Sequence, residues 1–236
     1  ILPLIFTNVL VGGILVFVDI LKELPITLLL RPFNFETLST YVYQYASDEL
    51  LQESSFAALI IILVGFSVRA SFGLFQLPIA LEFAWPRESF SLAIAIQNLF
   101  WGIGQPIFGA FAERYGDRKA ILVGGICYVV GLVASAFAIT PGQHQLLEIL
   151  VGFGIAGTGF GVILAVVGRA SSDENRSMSL AIATAAGSAG QVFGAPVAEW
   201  MLGFLSWQSV FLVFAAAILA VLAVLPLMRA PDLASR

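Results

Sequence analysis

The sequence predicts an all-α fold, a polytopic membrane helical bundle. Hydrophobic residues make up 59% of the 236-residue chain and charged residues only 11%, its mean hydropathy is +0.97, and seven apolar runs of membrane length can be drawn along it. A helix crossing hydrocarbon needs about 20 mostly apolar residues, so these runs, rather than soluble domains, are the units of the fold.

The spans fall at residues 4–21, 56–81, 90–112, 120–139, 146–167, 179–202 and 207–228. The last five are joined by connections of about four to eleven residues, which leaves no room for a soluble catalytic domain. Orientation follows from the cations, because Lys and Arg in short loops stay on the cytoplasmic side. Arg114, Arg118 and Lys119 lie between the third and fourth spans, Arg169 and Arg176 between the fifth and sixth, and Arg229 and Arg236 after the seventh. The alternate connections hold only Arg87. The second to seventh spans therefore read as six helices that start and end inside.

Cysteine and histidine exclude more than they suggest. Cys127 is the single cysteine, inside the fourth span, so neither a disulfide framework nor a Cys-rich metal site is expected. His144 is the single histidine and reads as an exposed residue of the short loop before the fifth span. With no second histidine, no G-x-S-x-G and no clustered carboxylates in one span, no hydrolase or metalloenzyme constellation can be assembled. An enzyme is not expected, nor a cofactor, a metal or a nucleic-acid partner. The chain opens at Ile1 with no methionine or charged n-region, and so reads as a fragment at its start.

Gly152, Gly154 and Gly157 form a G-x-G-x-x-G inside the fifth span. A dinucleotide site would need a strand before it and a helix opening on it. Here Gly159 and Gly161 continue the series within a membrane-length run, and helix packing is the better reading, since small residues four apart such as Gly157 and Gly161 let backbones approach. The sixth span repeats the device with Gly187, Gly190 and Gly194, followed by Pro196, which should kink or loosen the helix.

Between the third and fourth spans stands GAFAERYGDRK, residues 109–119. It resembles the loop signature of the major facilitator superfamily, roughly G-x-x-x-D-R-x-G-R-R between the second and third helices. Gly109, Arg114, Gly116 and Arg118 match in register, Glu113 replaces the usual Asp, and Asp117 replaces a usual basic residue. Gly190 to Pro196 loosely resembles the glycine and proline signature of the family's fifth helix. The resemblance covers about residues 66–236 and implies the six helices of the family's amino-terminal half, with an acid at the Glu113 position acting as a gating latch against the second half. Without that half, Glu113 and Arg114 should find other partners or stay solvated.

Ionisable groups at bilayer depth are costly and face a cavity or a partner. Arg69 lies near the middle of the second span, roughly 20 Å from either end at 1.5 Å per residue. The preferred reading is anion binding, with the guanidinium forking onto a substrate carboxylate; the alternative is pairing with backbone carbonyls or an interior acid. Gln97, Trp101 and Gln105 recur every four residues and share a face, with Asn98 beside it. They either line a translocation path or hydrogen-bond a neighbouring helix. Gln191 is a weaker candidate of the same kind. Glu148 and Glu199 lie near span ends and read as interfacial residues, and Trp200 and Trp207 fit an outer aromatic belt.

The amino-terminal quarter differs. FVDILKELPITLLLRPFNFETLSTYVYQYASDELLQES, residues 17–54, resembles the carboxy-terminal end of an ABC importer permease of the iron(III) type, over about residues 1–64. The expected domains are thus 1–64, permease-like, and 65–236, facilitator-like, with a join near Gly65 and a hybrid second span. A permease tail would bring the second span inward, whereas the facilitator half needs it to run outward. The facilitator half is expected to keep its fold, preceded by one extra helix and a partly helical loop segment, with the first span re-entrant, on the membrane surface or poorly inserted.

The resemblances together imply half of a secondary transporter for a small organic anion, monocarboxylate-like, working by alternating access in a bacterial-type inner membrane. Its expected partners are the lipid bilayer, the small-molecule substrate and either a missing second half or a second copy. The alternatives are a permease subunit of an ABC importer and a non-functional fusion fragment.

Overall fold

The structure, a computed structural model, describes residues 53–172, 175–223 and 225–227. The first span at 4–21 and nearly all of the permease-like segment lie outside the described residues. Every regular element among the described residues is helical.

The helices are α1 (Glu53–Ser71), α2 (Gln76–Phe83), α3 (Arg87–Tyr115), α4 (Asp117–Ser135), α5 (Pro141–Thr158), α6 (Phe160–Ala170), α7 (Arg176–Leu202) and α8 (Trp207–Leu222). A 3-10 turn, Phe72–Phe75, joins α1 to α2, so the second span is one 28-residue run, Phe56–Phe83, with a tighter turn inside it. Gly159 breaks the fifth span between α5 and α6, which together make the 30-residue run Pro141–Ala170. Four runs are long and apolar enough to cross a membrane among the described residues.

Local chemistry fixes the ends. Ala84 closes α2 in the left-handed conformation at φ 54°, and Pro86 stands as the residue before α3. Gly116 alone separates α3 from α4 at φ +94°, a region that glycine enters without a Cβ penalty. α5 opens on a capping box: the Thr140 hydroxyl accepts from the Gln143 N–H while the Gln143 side chain accepts from the Thr140 N–H, with Pro141 at the first helical position. α7 runs through Pro196 as one helix to Leu202.

Packing is by glycine seams. α1 lies along α7, α5 lies between α3 and α4, and α8 leans on α4. A Cβ added at Gly190 would strike the Leu63 carbonyl of α1, and one at Gly194 would strike Ser67. In the G-x-G-x-x-G segment, a Cβ at Gly152 would meet the Gln97 carbonyl at 2.5 Å, one at Gly154 the Tyr128 backbone at 2.6 Å, and one at Gly157 the Gly124 Cα at 2.6 Å. Those three glycines touch helices α3 and α4. A Cβ at Gly161 would strike the Gln105 amide oxygen.

Candidate functional site

Arg69 occupies the fourteenth position of the Phe56–Phe83 run. Its Nη2 donates to Asn98 Oδ1 of α3 at 3.0 Å, and its guanidinium lies over the Trp101 ring at 4.3 Å and near the Phe66 ring at 5.9 Å. Asn98 is held in turn, its amide donating to the Ile94 carbonyl at 2.9 Å. No carboxylate among the described residues pairs with Arg69. Two buried donors, Arg69 Nε and the Trp101 indole N–H, have no hydrogen-bond partner among the described residues. The result is a cation gripped by an amide and aromatic faces, with spare N–H groups and no counter-charge among the described residues.

The other polar candidates separate. Gln97, one residue before Asn98 and so on another side of α3, is 2% exposed and donates to Glu148 Oε2 of α5 at 2.7 Å. Gln105 abuts Gly161 at the start of α6. Gln191 is exposed on α7.

Three expectations are corrected. His144 is not an exposed loop residue: the capping box starts α5 at Pro141, which puts His144 inside the helix at 2% exposure. Glu148, one turn further, is fully buried rather than interfacial. The two stand at i and i+4 with Nε2 and Oε1 3.6 Å apart. Trp207 is 4% exposed and donates its indole N–H to Glu82 Oε2 at 2.5 Å, with Gln208 on the same carboxylate at 2.9 Å. It ties α8 to the end of α2 rather than facing lipid. Trp200 is exposed beside Phe204.

The expected loop is reduced to Gly116: in the last turn of α3, Glu113 is exposed, and Arg114 lies over the neighbouring Tyr115 ring at 5.4 Å. Arg118 Nη2 reaches the Pro226 carbonyl at 3.5 Å, beyond α8. No Cβ contact constrains Gly109. Asp117, which stands where the signature has a basic residue, forms a two-pronged ion pair with Arg169 of α6, through Nη2 to Oδ1 and through Nε to Oδ2 at 3.3 Å. The unusual acid thus has its own cation inside the same bundle.

A bundle of glycine-seamed, membrane-length helices with one cation at mid-span and a charged turn between α3 and α4 defines a polytopic membrane protein of the transporter kind. Residues 57–235 match the Major Facilitator Superfamily, and the chain belongs to that family. The match begins inside the stretch whose sequence resembles a permease tail.

Among its relatives, monocarboxylate transporter 13 of Bos taurus is 32% identical over 172 residues, covering 72% of this chain and 39% of the relative. An uncharacterized MFS-type transporter of Bacillus subtilis, YcxA, is 28% identical over 167 residues, covering 69% of this chain and 39% of the relative. Methyl viologen resistance protein SmvA of Salmonella typhimurium is 26% identical over 141 residues, covering 60% and 27%. The chain thus spans well under half the length of these relatives.

Proposed function

We propose that the protein works as part of a secondary transporter that moves a small organic anion, monocarboxylate-like, by alternating access, with Arg69 holding the carboxylate. The observation that carries this reading is the Arg69 guanidinium at mid-span, hydrogen-bonded to an amide, lying over Trp101 and unpaired with any carboxylate among the described residues. An uncompensated cation in a low-dielectric setting stabilises an anion there, and the planar guanidinium matches a carboxylate two-pronged. Two relatives named as monocarboxylate transporters support the substrate class. The name of SmvA points to a cationic compound, which a lone arginine disfavours by like-charge repulsion.

Asn98 orients the guanidinium, Gln105 and Gln191 contribute neutral hydrogen-bonding groups toward the path, and the turn carrying Gly109, Glu113, Arg114, Gly116 and Arg118 works as the cytoplasmic gate. Gly157, Gly161, Gly190, Gly194 and Pro196 keep the helices close enough to move as one body. Transport requires a second six-helix half or a second copy to complete the midplane site. A bacterial-type inner membrane is supported by the bacterial relatives.

The permease-like wording of residues 17–54 supports a second reading of the amino-terminal segment, as a tail from an ABC importer permease joined to the facilitator chain. A long sequencing read of source DNA through the codons of residues 56–75 and beyond both ends tests that join. For transport, Arg69→Lys is compared with the unaltered full-length protein in proteoliposome uptake of a labelled monocarboxylate. Loss of uptake supports the carboxylate role, and unchanged uptake overturns it.

A further inference from the structure

Beyond the Arg69 site, the bundle contains a second ionisable constellation that the transport reading does not use. His144 and Glu148 are 2% and 0% exposed, and Gln97 of α3 donates to one carboxylate oxygen, Glu148 Oε2, at 2.7 Å. The other oxygen, Oε1, and both imidazole nitrogens have no hydrogen-bond partner among the described residues, although Nε2 and Oε1 face each other at 3.6 Å.

Aromatic rings close the pocket around the imidazole. Phe90 of α3 stacks on it at 5.8 Å, Phe211 of α8 at 6.4 Å, and Trp85 lies at 5.9 Å. We propose that His144 and Glu148 form a one-proton binding site, loaded from the end of the bundle where α5 begins, in which a single proton held between Nε2 and Oε1 cancels the charge of the carboxylate.

The reason is charge balance. A neutral imidazole beside an ionised carboxylate leaves one net negative charge in a buried, aromatic-lined site, and an unpaired buried charge is among the costliest things a fold can hold. Among the described residues no fixed cation is placed to cancel it. On α1, Arg69 is engaged by Asn98 and Trp101. On α4, Tyr128 donates its hydroxyl to the Gly65 carbonyl at 3.0 Å. On α2, Glu82 is bound to Trp207 and Gln208. On α3, Arg87 and Glu88 are exposed in the first turn, and α8 carries no ionisable side chain over Trp207–Leu222.

Adding one proton gives zero net charge, whether the pair is written as imidazolium and carboxylate or as imidazole and carboxylic acid. The proton bound is the proton gained, with no bond otherwise made or broken. The faces of Phe90, Phe211 and Trp85 accommodate the imidazolium form by cation–π attraction. His144 lies one turn from the Thr140 cap at the helix end, so the site is near the surface that the cation distribution assigns to the outside. Loading changes the charge pressed against Phe211 of α8 and against Trp85 in the turn preceding α3.

Coupling of this proton to solute flux rests on the transport reading; the site itself does not. The test is infrared difference spectroscopy of the full-length protein in lipid nanodiscs across a pH series. The expected result is a titrating band of the protonated pair, carboxylic-acid or imidazolium, that is lost in Glu148→Gln and is lost or moves its midpoint by about one pH unit or more in His144→Gln. A titrating band that survives Glu148→Gln unchanged, or the absence of any band, overturns the site. A band lost in Glu148→Gln but indifferent to His144→Gln overturns the sharing of the proton. If Glu148→Gln does not fold, the midpoint in His144→Gln decides alone. Uptake plays no part in this readout, so failure of the Arg69 prediction leaves it untouched.

Discussion

Arg69 and Glu148 are both ionisable side chains inside membrane-length helices, and the bundle treats them in opposite ways. Arg69 is half-buried, held by one amide and one aromatic face, with no carboxylate opposite it among the described residues. Glu148 is fully buried, bonded by Gln97 and set against an imidazole at 3.6 Å. A charge left without its counter-charge, with donors to spare, is suited to something that arrives and leaves. A carboxylate enclosed with an amide and an imidazole is out of a solute's reach and can exchange only a proton. The same distinction follows the helices: α5, which carries Glu148, is wedged against α3 and α4 by glycine contacts, whereas Asn98, the partner of Arg69, is exposed.

The wedge is the place to break this contrast most severely. Gly154→Leu drives a side chain into the Tyr128 backbone, where even a Cβ would stand 2.6 Å away, and overpacking of this kind is expected to destabilise by about 3 kcal/mol. Thermal unfolding in detergent checks it, and Gly73→Leu, at a position with open space, serves as the silent control. Arg69→Lys keeps the charge but loses the fork. Charge-assisted hydrogen bonds worth about 1.5–3 kcal/mol predict a fall in monocarboxylate uptake of about 10- to 100-fold, with the melting curve little changed.

Asn98→Ala sharpens the same side more gently, since it removes the one side-chain acceptor of the guanidinium among the described residues. A loss of about 1 kcal/mol predicts roughly a fivefold weaker apparent affinity, read from the concentration dependence of uptake. The smallest effect is expected at the charged turn. Asp117 and Arg169 are partly exposed at 14% and 34%, so Asp117→Asn should cost about 0.2–1 kcal/mol, and less as salt is raised.

The helical class and the family were legible because each rests on something local: run length, loop charge, and the spacing of Gly109, Arg114, Gly116 and Arg118. Arg69 was legible for the same reason, as one cation in an apolar run. What hydropathy hid was the start of α5. The run of apolar residues begins at Leu146, which leaves His144 outside and Glu148 near an end, but Thr140, Pro141 and Gln143 already spell a helix start at Pro141, five residues earlier than Leu146. With that start in place, His144 and Glu148 fall at i and i+4 on one face.

Other features had no local signal. Trp207 reads as a belt residue until Glu82, 125 positions away, is brought beside it. The interruption at Gly159 and the tight turn at 72–75 depend on packing, since other glycines in the same spans sit inside unbroken helix.

The pairing of Asp117 with Arg169 carries a consequence for descent. An acid at position 117 without a cation at position 169 leaves a half-buried carboxylate without its two-pronged partner, and the reverse leaves a guanidinium without its own. The two codons, more than fifty positions apart, are therefore expected to have changed hands together. In any cousin whose turn keeps a basic residue at the position of Asp117, the end of α6 should carry a neutral or acidic side chain. A chimera that takes its turn from one lineage and its α6 from another inherits a mismatch that neither parent has.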